Sequence, residues 1–257
     1  MSSTGKARRL SRLISPVTGR GVFLPIDQAV TLGPIPGLAD LRQDIPRLLL
    51  GSPDAIIAHR GLIARGLLES ASAALVMHLS AATALSGRAE AKTLLTGVED
   101  AVHLGADAVS VHVSFGVPEE TPMLAAAART AACCDQWGIP LLVMAYVAGV
   151  SPVREPAKVA HAARVAAELG ADIVKVPYTG AVASFADVCS ASFVPVLVAG
   201  GDKAPWAGVL ADARDAITAG ARGVCIGRNV FQHEDPAAAL AELRTIVHFE
   251  QGVLADA

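Results

Sequence analysis

The stretch Leu169-Gly170-Ala171-Asp172-Ile173-Val174-Lys175-Val176-Pro177 decides the fold, because it joins the end of a helix to a buried strand within a few residues. Gly170 follows an alanine-rich segment and can adopt the left-handed conformation that ends a helix. The run 172–178 is then apolar on both faces, which is typical of parallel strands covered by helices. The stretch therefore predicts one helix-to-strand return of an α/β fold.

The same return occurs at three other places, and the rest of the chain follows its pattern. The three glycine returns are Leu104-Gly105-Ala106-Asp107, Trp137-Gly138-Ile139-Pro140 and Ala219-Gly220-Ala221-Arg222. Apolar runs of strand length alternate with longer helical segments. The predicted strands are residues 21–27, 55–59, 74–80, 108–113, 141–146, 172–178, 194–201 and 223–228. The predicted helices are residues 38–50, 61–70, 98–104, 119–137, 155–169, 183–190, 206–218 and 236–248.

Strict alternation of strands and helices, without a linker rich in Pro, Ser or charge, predicts one α/β domain over residues 1–257, a single (β/α)8 TIM barrel. A doubly wound open sheet is the alternative. It needs no eighth strand and usually has a Gly-rich fingerprint after its first strand, which Asp27-Gln28-Ala29-Val30 does not supply. Because the C-terminal ends of barrel strands face one mouth, functional residues are expected at those ends.

Composition excludes several classes of function. The 257 residues are 53% hydrophobic and 18% charged, which predicts a soluble globular chain with a large core. The net charge of -3 provides no basic surface for nucleic acid. No apolar run is long enough for a signal peptide or a membrane span, and four cysteines without metal or CxxC spacing favour the reduced cytoplasm. The basic segment 6–13 is expected to be a solvated helix or frayed arm on the barrel's N-terminal side.

Lys175 lies in the middle of the apolar run 172–178, where a charge is costly. Desolvation is expected to lower the pKa of its amine, so that a free amine can attack a carbonyl group and form a Schiff base. Two structural roles remain open. The side chain could extend out of the strand end, or it could pair with a carboxylate such as Asp27. Lys175 is the candidate nucleophile.

Other strand ends carry candidate acid and base groups. Tyr146 could move protons near the amine, or it could simply bond a backbone carbonyl group. Asp27 could hold the charge of the lysine, orient a carbinolamine or bind substrate hydroxyls. His59, His78 and His112 lie at or near strand ends, but no carboxylate accompanies them in a ligand pattern. Neither a metal nor another cofactor is predicted.

The last two strands end in a pattern that predicts phosphate binding. Gly200 and Gly201 follow the seventh strand, and Gly227 and Arg228 follow the eighth, where these barrels usually bind phosphate at a helix N-terminus. Arg228 would add a bidentate, permanently charged contact. A tight turn and a surface salt bridge are the structural alternatives. The expected partner is a small sugar phosphate.

Three segments, residues 169–178, 198–203 and 223–232, resemble the archaeal-type class I fructose-bisphosphate aldolases, a branch that also includes 2-amino-3,7-dideoxy-D-threo-hept-6-ulosonate synthase. The resemblance covers nearly the whole chain. It implies a metal-independent lyase and a homo-oligomer. It also implies roles for the residues at the strand ends: an imine on Lys175 with dihydroxyacetone phosphate or a related ketose phosphate, acid/base chemistry by Tyr146, assistance from Asp27, and phosphate binding by Gly200, Gly201, Gly227 and Arg228.

The chain departs from the family pattern on the side of the aldehyde acceptor. Gln28-Ala29 stands where the family usually has His-Gly, and Met144 stands where the fructose-bisphosphate enzymes typically have tryptophan. Val147-Ala148-Gly149 replaces a Pro-Arg-Gly type of sequence, which removes a cation from the acceptor pocket. The first prediction is an aldolase similar to fructose-bisphosphate aldolase. One alternative is a biosynthetic enzyme that joins the ketose phosphate to an amino-acid-derived aldehyde such as aspartate semialdehyde, and another is a non-catalytic sugar-phosphate binding protein.

Overall fold

The computed structural model of the protein describes residues 4–153 and 155–250. The strands in this part of the chain are β1 (Gly21–Pro25), β2 (Ala55–His59), β3 (Ala74–His78), β4 (Ser80–Ala81), β5 (Thr93–Leu94), β6 (Ala108–Phe115), β7 (Leu141–Val147), β8 (Ile173–Pro177), β9 (Val196–Ala199) and β10 (Gly223–Cys225). The helices are α1 (Thr4–Leu13), α2 (Gln28–Leu32), α3 (Leu41–Leu49), α4 (Arg60–Ala64), α5 (Val98–His103), α6 (Glu120–Trp137), α7 (Pro156–Glu168), α8 (Val182–Ala191), α9 (Trp206–Thr218), α10 (Arg228–Phe231) and α11 (Pro236–Arg244).

The predicted barrel is confirmed, and the open sheet is excluded. Parallel strands close in the order β1-β10-β9-β8-β7-β6-β3-β2, with β4 and β5 forming a separate antiparallel hairpin. Closure depends on β1, which pairs with both β2 and β10, so that Gly21 lies opposite Gly223. The single domain predicted over residues 1–257 stays a prediction, since residues 1–3, 154 and 251–257 lie outside the described residues.

The four predicted glycine returns are present. Gly105, Gly138, Gly170 and Gly220 all have positive φ, between 59° and 105°, and each leads from a helix into the next strand. Glycine adopts this conformation at little cost because it has no Cβ. These residues end α5, α6, α7 and α9 at the N-terminal end of the barrel and leave the opposite mouth to the loops that follow the strands.

Alternation of side chains along the strands produces two apolar layers. Phe23, Leu142 and Ile173 point into the barrel and form an inner cluster, whereas flanking residues such as Val22 and Val174 pack outward against the helices. Side chains two residues apart on a strand share a face. Lys175, two residues after Ile173, therefore points into the barrel above this inner layer.

The N-terminal segment is a helix at the N-terminal end of the barrel, as expected, but it docks there through Lys6 and Leu13 instead of being fully solvated or frayed. Helix α1 lies at the N-terminal end of the barrel, where Leu13 is fully buried in the inner cluster. Lys6 is also buried and forms salt bridges with Asp135 and Asp172, the latter at 3.1 Å. The charges of the segment suggested exposure, but its leucines cover the barrel floor and its cations pair with the acidic residues there. In the described part of the chain, the helices are all too short or too polar to cross a membrane.

Candidate active site

The seven predicted site residues come together around one cavity of about 300 Å³. The cavity opens at the C-terminal ends of the barrel strands. The described residues that line it are Asp27, Gln28, Thr31, Leu32, Lys92, His112, Met144, Tyr146, Lys175, Gly200, Gly201, Cys225, Gly227 and Arg228. Residues from β1, β7, β8, β9 and β10 thus meet at one place although they are far apart in sequence, as expected for the mouth of a barrel.

Lys175 lies at the base of the cavity and is only 6% exposed. Burial lowers the pKa of its amine, but interactions with Cys225, Tyr146 and Asp27 raise it by more, so the net direction is upward. The expectation that desolvation lowers the pKa was therefore wrong, because the polar neighbours outweigh the apolar walls. The resting enzyme holds Lys175 as an ammonium ion, which must lose its proton before it can attack a carbonyl group.

Tyr146 lies flat against His112, with ring centroids 5.1 Å apart and an angle of 7° between the rings. Burial raises the pKa of the Tyr146 hydroxyl, and the nearby Lys175 only partly opposes the effect. Burial also keeps the pKa of His112 well below its usual value, so the stacked imidazole is neutral. Tyr146 is therefore a phenol at neutral pH, positioned by an uncharged ring and able to donate a proton.

Among the described residues that line the cavity, Asp27 is the one with an acidic side chain. Its Oδ2 lies 3.9 Å from His78 Nε2, and its Oδ1 is buried without a hydrogen-bond partner among the residues described. A buried carboxylate oxygen that lacks a donor is costly unless a bound molecule supplies one. Asp27 can therefore accept a hydrogen bond or a proton from a substrate. In the described part of the protein, no salt bridge joins Asp27 to Lys175.

The histidines at the strand ends form hydrogen bonds with protein groups, and the rings of His59 and His78 lie with their centroids 5.2 Å apart. His59 Nδ1 lies 3.1 Å from the carbonyl oxygen of His78, and His78 Nδ1 lies 2.8 Å from Ser110 Oγ. Within the described ranges, no group of three or more His, Cys, Asp or Glu side chains is arranged to hold a metal ion. Burial lowers the pKa of His78 to about 4, despite the opposing charge of Asp27.

The buried His78 should make the folded state sensitive to acid. The pKa of its imidazole is about 4 in the folded protein and 6.5 ordinarily. Between these values the unfolded chain binds a proton that the folded chain does not, so stability rises with pH. The contribution of His78 to the free energy of unfolding is complete above pH 6.5 and is lost as the pH falls through 4, with a total on the order of 3 kcal/mol.

Urea unfolding at several pH values should show a shallower pH dependence for His78→Gln than for wild type. The exposed His161 provides the control His161→Gln, and an unchanged slope in His78→Gln would contradict the assignment.

The predicted phosphate residues lie on two adjoining loops that contact each other. Arg228 Nη2 donates to the carbonyl oxygen of Gly201 at 3.1 Å and pairs with Asp202 at 2.8 Å. Because the side chain of Asp202 is 91% exposed, this salt bridge is weak and an incoming phosphate could replace it. A Cβ on Gly227 would come within 2.6 Å of the Pro25 carbonyl oxygen, so this position needs glycine.

Asn229 holds the two loops together, and the sequence analysis did not assign it a role. Its Nδ2 donates to the carbonyl oxygens of Gly200 at 2.8 Å and Asp202 at 2.9 Å, while its Oδ1 accepts from the Ala204 N–H at 2.9 Å. The residue is 1% exposed. The sequence feature that could have pointed to Asn229 is an amide side chain next to Arg228 at a strand end, because buried amides are rarely left without partners. Asn229 preorganises the backbone around the predicted phosphate site.

Lys92 lines the cavity as well and was not predicted. It comes from the segment between β3 and α5 rather than from a strand end, and its Nζ donates to Thr31 Oγ1 at 3.3 Å. Gln28, Leu32 and Met144 line the cavity with it. Lys92 therefore adds, from another loop, a cation to the cavity that Lys175 and Arg228 also line.

Comparisons with known proteins identify the family to which the chain is similar. The family model for DeoC/LacD family aldolases matches residues 21–233. A 2-amino-3,7-dideoxy-D-threo-hept-6-ulosonate synthase from Halobacterium salinarum is 39% identical over 249 residues, which cover 96% of this chain and 93% of the relative. A 2-amino-4,5-dihydroxy-6-oxo-7-(phosphonooxy)heptanoate synthase from Streptomyces griseus is 40% identical over 247 residues, covering 95% and 90%.

A solved structure of a Schiff base forming fructose-1,6-bisphosphate aldolase, studied through its reaction intermediates, superposes with a TM-score of 0.86. It is 28% identical and covers 94% of this chain and 99% of its own. The resemblance carried by the three sequence segments is thereby confirmed. Since the family model spans most of the barrel and the relatives match almost end to end, the chain belongs to the DeoC/LacD family of aldolases.

Proposed function

We propose that the protein is a class I aldolase in which Lys175 forms an imine with dihydroxyacetone phosphate and the resulting enamine adds to an amino-acid-derived aldehyde. The observation that carries the proposal is the shared cavity, in which the buried Lys175 lies with Tyr146, Asp27 and the loops predicted to bind phosphate. Dihydroxyacetone phosphate fits such a site because its ketone lies one carbon from the phosphate ester. The phosphate would occupy the loops after β9 and β10, which brings the ketone to β8.

Proton transfers can be assigned to the groups around Lys175. Asp27 takes the proton of the ammonium ion as the amine adds to the ketone and forms a carbinolamine. Tyr146 donates its proton to the carbinolamine hydroxyl, which leaves as water, and the phenolate remains beside the positive iminium ion. The phenolate then removes a proton from the hydroxymethyl carbon, which yields the enamine and restores the phenol.

The same phenol serves the second half of the reaction. When the enamine attacks the aldehyde, Tyr146 protonates the new alkoxide as the carbon–carbon bond forms. The phenolate then accepts a proton from the water that adds to the product iminium. The resulting carbinolamine releases the ketone product and the Lys175 amine, which takes back the proton held by Asp27. Because burial favours the phenol and the iminium favours the phenolate, Tyr146 can alternate between the two forms during one turnover.

The product for which one relative is named supports aspartate semialdehyde as the acceptor. In 2-amino-4,5-dihydroxy-6-oxo-7-(phosphonooxy)heptanoate, the bond between the two hydroxyl-bearing carbons is the one an aldol reaction forms. Its cleavage gives dihydroxyacetone phosphate and aspartate semialdehyde. The Streptomyces griseus synthase named for this product is 40% identical to the chain. Gln28 and Met144, which depart from the fructose-bisphosphate pattern, line the same cavity and support this acceptor.

Cleavage of fructose 1,6-bisphosphate is the second candidate. The superposition with the Schiff base forming fructose-1,6-bisphosphate aldolase favours it. Both candidates share the donor half and the imine, and they differ only in the aldehyde. The homo-oligomeric state and the cytoplasmic location stay predictions, and light scattering of the purified protein would test the first of them.

Two measurements test the proposal. Borohydride should trap dihydroxyacetone phosphate on the protein, and peptide mass analysis should place the reduced adduct on Lys175. Coupled assays should then show condensation with aspartate semialdehyde at a higher kcat/KM than cleavage of fructose 1,6-bisphosphate. An adduct combined with efficient cleavage and no reaction with aspartate semialdehyde would select the second candidate. A folded protein without any adduct would overturn the Schiff-base mechanism.

A further inference from the structure

Lys92 has a position in the cavity that the donor half of the reaction does not use. Its side chain is half-buried, and its one hydrogen bond within the described residues is the long contact to Thr31. It forms no salt bridge with a carboxylate in this part of the chain, whereas Arg228, at the phosphate end of the cavity, pairs with Asp202. A half-buried ammonium ion without a direct carboxylate contact is costly, and the charges of Asp27 and Glu90 offset that cost only in part. A bound anion would remove that cost.

The segment that carries Lys92 is tied to the barrel. Lys92 directly precedes β5, which pairs with β4 so that Ser80 lies opposite Leu94. The His112 N–H donates to Ser80 Oγ at 2.9 Å, which joins the hairpin to β6. Arg88 forms a salt bridge with Glu119 just before α6. The ammonium group is therefore held over the mouth by a braced hairpin.

The topology places the hairpin that carries Lys92 across the barrel from the loop after β9, and Lys92 Nζ extends from this hairpin to Thr31 on α2, the helix after β1. Three strands separate β3 from β9 in either direction around the barrel. The hairpin with Lys92 follows β3, whereas Gly200 and Gly201 follow β9. A substrate whose phosphate lies at β9 and β10 and whose ketone is bound to β8 therefore extends its other end toward Lys92.

We propose that Lys92 Nζ binds the carboxylate of the aldehyde acceptor and thereby selects amino-acid-derived aldehydes, an inference that rests on the proposed function. A carboxylate fits better than a second phosphate. The glycines among the cavity-lining residues, Gly200, Gly201 and Gly227, all belong to the β9 and β10 side. A phosphate dianion usually needs several backbone N–H groups or a guanidinium group, whereas one ammonium and neighbouring polar side chains suffice for a carboxylate.

The electrostatics of Lys92 agree with this role. Burial lowers the pKa of its amine, and Asp27 and Glu90 oppose the shift only in part. A carboxylate bound against Nζ would favour the charged form and raise the pKa again. The acceptor would therefore bind most strongly when it brings a negative charge to this side of the cavity.

The test compares two aldehydes of equal chain length, succinic semialdehyde and butanal, with dihydroxyacetone phosphate as donor. They differ in the terminal carboxylate alone. For Lys92→Met, the ratio of kcat/KM for succinic semialdehyde to that for butanal should fall by about 10- to 100-fold, as expected when a charged hydrogen bond is lost. The change should lie mainly in KM for the carboxylated aldehyde. The matched control is Lys158→Met, because Lys158 is exposed on α7 and pairs with Glu155 outside this cavity.

The outcomes separate this inference from the function on which it rests. An unchanged ratio in Lys92→Met, or a larger loss with glyceraldehyde 3-phosphate than with succinic semialdehyde, overturns the role of Lys92 and leaves the aldol reaction standing. Failure of the wild type to couple either succinic or aspartate semialdehyde, while borohydride still traps the donor on Lys175, overturns the proposed function itself. That second result appears in the wild type before any variant is made.

Discussion

Replacement of Lys175 by methionine should abolish both turnover and the borohydride adduct. The rate should fall on the order of 10⁵-fold or more, since covalent catalysis cannot proceed without the amine. The fold should survive, because methionine has a similar length and removes a buried charge instead of creating one. Steady-state assays and intact mass analysis after reduction measure the two effects.

Two controls make the result specific. Lys203 lies near the mouth and donates to the Gln232 carbonyl oxygen at 3.0 Å, outside the cavity lining. Lys203→Met should therefore keep the adduct. Lys175→Met should also keep most of the thermal stabilisation by dihydroxyacetone phosphate, because the loops around Arg228 remain intact. An adduct on Lys175→Met would place the reacting amine elsewhere.

Replacement of Tyr146 by phenylalanine should lower kcat by about 10²- to 10⁴-fold, the usual range for a lost acid/base group. The ring and its stacking on His112 are kept, so the donor should still bind. Exchange of the hydroxymethyl protons of dihydroxyacetone phosphate in deuterated water reports the proton abstraction step directly. This exchange should fall with kcat.

Tyr178 is the matched control for that experiment. Its hydroxyl donates to Asp215 at 3.3 Å, and the residue is absent from the cavity lining. Tyr178→Phe should exchange protons at the wild-type rate. Equal losses in both variants would show that the effect is structural, and normal exchange in Tyr146→Phe would assign the base to another group.

The barrel could be predicted because its strands are buried on both faces and its helices end at glycines, two local signals. Several predicted strand ends differ from the observed ends by a few residues. The seventh predicted strand, at 194–201, corresponds to β9 over Val196–Ala199. The predicted helix at 61–70 is α4 over Arg60–Ala64, and the one at 236–248 ends at Arg244 before a π-helical turn. The hairpin β4–β5 was missed, since two-residue strands carry no periodic pattern.

The predicted site residues meet because strand ends in a barrel share one mouth, a rule that needs no distances. The sequence could not place Lys92, which reaches the cavity from within a long loop. It also could not establish the direction of the Lys175 pKa shift, which depends on Cys225 and Tyr146 as neighbours in space. Tyr146 and Cys225 become neighbours of Lys175 because β7 pairs with β8 and because Cys225 on β10 points into the barrel.

The docked α1 has a consequence for the order in which the molecule assembles during synthesis. This helix precedes every barrel strand in the chain, but Lys6 pairs with Asp172 and Leu13 shares its apolar cluster with Cys225. Its binding site is therefore completed only when the last barrel strand has emerged. In the same way, β1 lacks one of its two neighbouring strands until β10 has been synthesised. Nascent chains that have not yet reached Cys225 must keep their apolar floor uncovered, and they should depend most on chaperones at that stage.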